Sequence, residues 1–424
     1  MSDFPPKDFI LAKSAVEGIQ VFMPRSPNEK HEEVVEFICP QCAATTAYSA
    51  DNGGLTCTHC NYYEPPTQAV VGKQAEEFEF TVDTMQRVAH GWGVERKELV
   101  CNGCAAHTTF STDMLTHTCP FCGSNQVVQI KAPQDVLRPR FLLPFAVTQD
   151  ECRQKTAVWL QDSWLIPRGL QKMARVVDYT PIYIPFWTID ADTEATWKAE
   201  VAHTESTKRT GKGSRTETVQ KWVWENGRVQ HNFDDLLVAG TNKISTFLIK
   251  QMRGYNLNKL VPYEATFLAG IQAQAYDIDL EEGWEMARNR MRERVKEECK
   301  GQASNTKMRN FSMNMNSSNE SWRYILLPIY LTTYKYNSKT WQVMIHGQNG
   351  TIAGQRPVDW KRVGLVIFAL LLPAILFGIL SFVSLNFAVS AYGSELGCLA
   401  FISLSIAMGI TIAILSKATA MDTI

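Results

Sequence analysis

The pattern that most restricts this chain is a four-cysteine unit used twice. Cys39-Pro-Gln-Cys42 is followed after fourteen residues by Cys57-Thr-His-Cys60, and Cys101-Asn-Gly-Cys104, after the same interval, by Cys119-Pro-Phe-Cys122. Tetrahedral Zn(II) takes four thiolates at about 2.3 Å, and each C-x2-C turn supplies two of them. The short residues between the pairs read as a hairpin in each copy. Two zinc ribbons with structural zinc are therefore expected, with Cys39, Cys42, Cys57 and Cys60 as one ligand set and Cys101, Cys104, Cys119 and Cys122 as the other. Disulfides and an iron centre are the rivals, and spacing alone leaves iron open. A closed four-thiolate site has no position for a substrate, so its contribution is to fold a segment too small to hold a core. His59 and His117 adjoin ligands and read as surface or neighbouring side chains. Cys152, Cys299 and Cys398 lack partners at metal spacing and read as packed thiols.

Charge disappears at the other end of the chain. Residues 363–383 and 396–415 carry none, and each block is long enough to cross a hydrocarbon core of about 30 Å as a helix. Soluble helices of this length carry a polar stripe, which these lack. Pro373 inside the first block is better tolerated in lipid. Lys361 and Arg362 precede the first block and Lys417 follows the second, whereas the connection holds only Glu395. The positive-inside rule then puts both termini in the cytoplasm of an inner (cytoplasmic) membrane crossed twice. The opening MSDFPPKDF reads as no cleavable signal. A reducing compartment argues against disulfides among the cysteines.

The totals of 42 basic and 43 acidic residues hide this arrangement. They argue mildly against a nucleic-acid binder, which shows a basic face. The absence of Lys and Arg from 39–60 and 101–122 strengthens the point.

Between these ends the composition is that of a compact domain. Thr148-Gln-Asp-Glu151 is a capping box, predicting a helix through about Trp164. Pro181–Trp187, 195–202 and 218–224 read as strands, with a polar loop carrying Lys208, Arg209, Lys212 and Arg215. A turn is expected at Glu225-Asn-Gly227. Helices are expected over 241–253 and 280–300, the second with Trp284, Ala287, Met291 and Val295 on one stripe. Phe311–Met315 alternates like a half-buried strand. Residues 325–336 and 341–346, with a turn at Asn349-Gly350, read as a meander. Leu327-Pro-Ile-Tyr330 echoes Thr180-Pro-Ile-Tyr183, a hint of duplicated β units.

Catalytic signatures are missing. Gly211-Lys212-Gly213-Ser214 lacks the earlier glycine of a phosphate loop and reads as a hairpin tip. Asp234-Asp235 reads as a surface or capping pair. The expected architecture is multidomain: an N-terminal segment (1–36), zinc ribbons at 37–64 and 99–130 separated by a linker (65–98), a cytoplasmic α+β domain with antiparallel strands (131–358), and a two-helix transmembrane hairpin.

The ordered set of motifs resembles a bacterial family of membrane proteins with TFIIB-type zinc ribbons, often mislabelled primosomal replication factor Y or a superfamily II helicase. The residues carrying the resemblance are both ribbons, 262–270, 275–280, Leu326–Tyr330, and His346-Gly-Gln-Asn-Gly350 with Gly354 and Pro357, followed by the spans. The sequence departs from the family pattern in reading His346-Gly-Gln-Asn-Gly350, and Ile-Gln-Ala-Gln-Ala-Tyr at 271–276. The resemblance implies a non-enzymatic adaptor or scaffold. Its implied partners are phage-shock protein A-like and flotillin-like (SPFH) proteins, in envelope stress or membrane organisation. A membrane-tethered nucleic-acid-binding protein is the alternative. A pocket-using enzyme or lipid-handling protein ranks below both.

Overall fold

The computed structural model describes residues 9–12, 21–24, 37–65, 70–72, 77–79, 96–111, 119–121, 124, 126–132, 136–167, 170, 179–208, 216–244, 246–252, 254–336, 339–387 and 393–422. Near the N-terminus, β1 (Phe9–Ala12) and β2 (Val21–Pro24) pair as a separate two-stranded sheet. A three-stranded sheet follows, made of β3 (Thr46–Ser49), β4 (Gly54–Cys57) and β5 (Tyr63–Glu64). It carries the first cysteine unit. β6 (Phe78–Glu79), β7 (Arg96–Cys101), β8 (His107–Ser111), β9 (Val127–Lys131) and β10 (Phe141–Leu142) belong instead to one large sheet. The second cysteine unit is thus continuous with the central domain.

After α1 (Gln149–Trp159) the centre of that sheet is built by three very long strands. They are β11 (Thr180–Lys208), β12 (Thr216–Ala239) and β15 (Met308–Tyr336). β11 runs antiparallel to both others. α2 (Thr246–Gln251), β13 (Val261–Pro262), β14 (Gln272–Gln274) and α3 (Leu280–Gln302) fill the connection, and β16 (Lys339–His346) and β17 (Ile352–Gly354) close the sheet beyond β15.

The side chains of β11 show where each face is covered. Residues 182–189, reading IYIPFWTI, are buried without a break, as expected of a strand covered on both faces. Beyond a bulge at Asp190 the pattern alternates: Ala191, Thr193, Ala195, Trp197 and Ala199 are buried, whereas the residues between them are not. α3 covers that inner face through Trp284, Ala287, Met291 and Val295, the stripe seen in the sequence. Phe311, Met313 and Met315 lie in β15 with the half-buried alternation expected of them.

The sequence echo has a geometric meaning. Pro181, Ile182 and Tyr183 pair with Tyr330, Ile329 and Pro328 respectively, so the two copies of Pro-Ile-Tyr face each other across a local pseudo-twofold at Ile182 and Ile329. The capping box is present, with Thr148 and Glu151 bonding each other's backbone amides. Two expectations need correction. α1 stops at Trp159, leaving Trp164 in the loop beyond. The turn placed at Glu225-Asn-Gly227 does not exist, because β12 runs straight through and pairs Gly227 with Trp197. Glycine occupies that position because a Cβ would lie 2.6 Å from the Trp197 indole nitrogen. The helix expected over 241–253 is described only over Thr246–Gln251.

At the C-terminus, α4 (Trp360–Phe387) and α5 (Gly393–Asp422) form an antiparallel pair. Over their most apolar stretches only 11% and 6% of residues are buried. A soluble core helix of such composition would be mostly buried, so these are two candidate membrane-spanning helices.

Candidate metal centres

Each cysteine pair sits on the same backbone device. The amide of the first cysteine donates to the carbonyl five residues on: Cys39 to Ala44 (2.7 Å), Cys57 to Tyr62 (2.9 Å), Cys101 to Ala106 (3.0 Å) and Cys119 to Ser124 (2.8 Å). Its carbonyl accepts from the amide four residues on, as Ala43, Asn61 and Ala105 show at 2.9, 3.0 and 2.8 Å. Those three residues hold left-handed φ values of 57°, 59° and 54°, a conformation side chains generally avoid. The chain accepts this cost three times in equivalent positions. The corresponding residue of the fourth turn is Gly123 in the sequence, outside the described residues with Cys122.

These turns bring the sulfurs together. Cys39 Sγ lies 3.5 Å from Cys60 Sγ, Cys42 Sγ 3.5 Å from Cys57 Sγ, and Cys104 Sγ 3.6 Å from Cys119 Sγ. Disulfide sulfurs stand at about 2.05 Å, whereas the edge of a zinc–thiolate tetrahedron is about 3.8 Å. None of the described cysteines is joined in a disulfide. In the first unit all four sulfurs lie within 4.8 Å of one another, and in the second Cys101, Cys104 and Cys119 do so. Both clusters suit metal binding.

The thiols of the first unit act on one another electrostatically, Cys60 and Cys42 being shifted up and Cys57 down. Backbone amides of Cys60 and His59, aided by neighbouring thiols, bring Cys57 down to about 6. At Cys42 the Ala44 amide pulls the other way, but burial and the adjacent thiols push it up to about 12. Four thiolates at this separation repel one another; a divalent cation between them removes the conflict. His59 is exposed at the rim, and His117 lies outside the described residues.

Both cysteine hairpins dock on one segment of the central domain, the short 3-10 turn Ala265–Leu268 and the strand β14 behind it. From the first hairpin, the Tyr48 amide donates to Ala269 O at 2.7 Å and its ring packs on Phe267, centroids 5.3 Å apart. From the second, Arg96 is fully buried and donates to Leu268 O (3.2 Å), Ile271 O (3.0 Å) and Thr109 O (3.2 Å). β8 then pairs with β14, Thr109 opposite Ala273. Glu98, two residues beyond Arg96, is buried and takes His107 Nδ1 at 2.9 Å. Arg96 and Glu98 carry little sequence signal. Their only signal was two opposite charges at alternate positions of a short strand.

Other sequence candidates settle into structural places. Cys152 is buried and pushed up to about 12 by that burial, and Cys299, also buried, is shifted upward for the same reason. Neither has the lowered pKa of a nucleophile. Cys398 is exposed on α5. Asp235 is buried and paired with the Arg323 guanidinium, while Asp190 shares the same cation at 3.8 Å. Asp190 and Asp234 complete a carboxylate group close enough to hold a cation. Ser304, His203 and Glu225 meet without forming a catalytic relay. Ser304 Oγ and Glu225 Oε1 approach the same ring nitrogen, His203 Nε2, at 3.3 and 2.7 Å. A relay needs opposite nitrogens. Gly211–Ser214 lies outside the described residues.

No protein-family profile matches the chain. No solved structure matches it. It is similar to an uncharacterized protein, YdjG of Bacillus subtilis (strain 168), with 22% identity over 335 residues that cover 78% of this chain and 92% of that protein.

Proposed function

We propose that this chain is a membrane-anchored adaptor in which two zinc ribbons and an α+β domain form one docking body for protein partners. The observation that carries the reading is the conjunction of matched cysteine turns with a common seat. Four sulfurs of the first unit and the three described ones of the second gather within 4.8 Å, and the hairpins that hold them are fixed to Ala265–Gln274. Such a site uses its whole coordination sphere to hold backbone in place, which suits a binding surface and offers a substrate no open position. Zinc is favoured over iron because the two units resemble zinc ribbons in spacing and turn.

The anchor is α4 and α5, and basic Lys361, Arg362 and Lys417 at their domain-side ends favour a cytoplasmic location for the domain and both termini in an inner membrane. The family resemblance points to phage-shock protein A-like and flotillin-like proteins as partners, within an envelope-stress or membrane-organising system.

The test is crosslinking of the full chain in native membranes, followed by identification of captured proteins in wild type and in C39S/C42S. A specific partner captured by wild type and lost in the variant supports the adaptor. Salt-sensitive DNA binding by the intact protein, without a protein partner, would replace it by the membrane-tethered nucleic-acid-binding alternative.

A further inference from the structure

The bases of the two apolar helices are built into the domain. Leu165, buried in the loop after α1, packs with Val363 near the start of α4 and Ala418 near the end of α5, with Ile367 and Ile414 against the same cluster. The loop backbone is fixed there as well. Asp359 N donates to Leu165 O at 2.7 Å, and Arg362 Nη1 donates to Ile166 O at 3.3 Å. Arg356 lies against the Trp159 ring, 4.6 Å from its centroid, and is 4.0 Å from Asp162, so the one acid of this loop faces a cation.

Val363 is the first residue of the uncharged block, so in a spanning hairpin it stands at the edge of the hydrocarbon core. The headgroup zone beyond that edge is only about 5–8 Å deep on each side. A loop whose Leu165 shares a cluster with Val363, and whose backbone is bonded to Asp359 and Arg362, therefore lies near that depth. The side chains it turns outward fit such a place. Trp164 is 49% exposed, Val158, on the last turns of α1, is 69% exposed, and Trp360, the first residue of α4, is 45% exposed. Tryptophan is enriched at this interface because its ring is apolar and its N–H is wet.

We propose that the C-terminal end of α1 and the loop Ser163–Pro167 form a membrane-surface contact, with Trp164 seated among lipid headgroups beside the spans. The occupant is the bilayer itself, argued from continuity with the hairpin. The contact fixes the tilt of the whole domain on the membrane, so the metal clusters are presented at a set height and orientation. This inference rests on the reading of α4 and α5 as spans.

The test uses full-length protein in nanodiscs, labelled with 5-fluorotryptophan, with the Trp164, Trp360 and Trp224 resonances assigned from W164F, W360F and W224F. A nitroxide on the lipid headgroup and a water-soluble gadolinium chelate are added separately. The proposal predicts that Trp164 and Trp360 are broadened by the lipid nitroxide several-fold more than Trp224, which lies on the distant part of β12, and that the chelate affects Trp224 most. Trp360 broadened by lipid with Trp164 behaving like Trp224 would overturn the contact and leave the spans standing. All three insensitive to lipid would overturn the spanning reading and the contact with it. Trp164 shielded from both probes, with protein mass indicating two copies per disc, would assign the patch to a second copy and reject lipid.

Discussion

Arg96 Nη1 lies 3.2 Å from the carbonyl of Leu268, across 172 residues of sequence. That bond, with its partner to Ile271 O, ties the strand leading into the second cysteine unit to the turn on which the first unit also rests. The two cysteine hairpins are thereby parts of one body. Loss of either metal should be felt at Ala265–Gln274.

Replacing Arg96 removes donors from the carbonyls of Leu268, Ile271 and Thr109, of which Leu268 O keeps the Ile271 amide at 3.3 Å, at about 1–3 kcal/mol for the first lost partner. R96M should lower the apparent melting temperature and raise amide exchange in both 265–274 and 96–111. R96K should recover little, because one ammonium cannot reach carbonyls on both sides of the fork. Unchanged exchange at 265–274 in R96M would contradict the clamp.

The left-handed residues after the cysteine pairs give a prediction of opposite sign. Ala43→Gly and Ala105→Gly remove a steric cost of about 1–2 kcal/mol and add backbone entropy to the unfolded chain, for a net gain near 0.5–1 kcal/mol. Thermal unfolding of the zinc-loaded protein should move upward slightly. Ala43→Val should move it down. A glycine variant that destabilises would show that the turn is held differently.

Gly227→Ala should be costly despite its place on a long, partly exposed strand. The added Cβ meets Trp197 Nε1 at 2.6 Å and disturbs the 2.9 Å bond from that nitrogen to Gln302. Overpacking of this kind costs about 1–3 kcal/mol. A melting temperature equal to wild type would argue that residues 225–227 form the turn suggested by their sequence.

That turn shows where the sequence was legible and where it was not. The cysteine spacing, the capping box at Thr148 and the α3 stripe are local patterns, and local chemistry decided them. Asn226-Gly227 is equally strong as a local turn signal, yet the glycine is there to admit an indole from the neighbouring strand. The docking of both cysteine units on Ala265–Gln274 had no local signature. Arg96 reads as an ordinary surface charge until two of its carbonyl acceptors arrive from 172 and 175 residues away. The Pro-Ile-Tyr echo was visible as repetition, and only the strand register shows that the copies pair with each other.

His346 supplies a pH prediction. Burial brings it down to about 4, and its Nδ1 accepts from the amides of Gln348 (3.1 Å) and Asn349 (3.2 Å), which hold it neutral. The unfolded histidine protonates first, near 6.5. The folded state therefore loses stability as pH falls from about 6.5 to about 4 and loses no more below, up to ~3 kcal/mol in all. Asp190, pushed up to about 7 by burial and by Glu77 and Asp235, acts in the opposite direction: as pH falls from 7 toward 4 its contribution grows. The two are separated by comparing wild type with H346N, which retains an acceptor for the two amides. The stability difference between the two proteins should change with pH between 6.5 and 4, in favour of H346N on the acid side. A constant difference would show that His346 titrates normally.

Closed sites for structural zinc in both cysteine units, as proposed, are open to direct test. The most direct measurement is metal content per intact chain, by inductively coupled plasma mass spectrometry on protein purified from native membranes without added metal, joined to zinc-edge X-ray absorption. Two zinc ions per chain are expected, each with four sulfur neighbours at about 2.3 Å. Fewer than one zinc per chain, iron in its place, or oxygen and nitrogen neighbours at the ion would contradict the proposal.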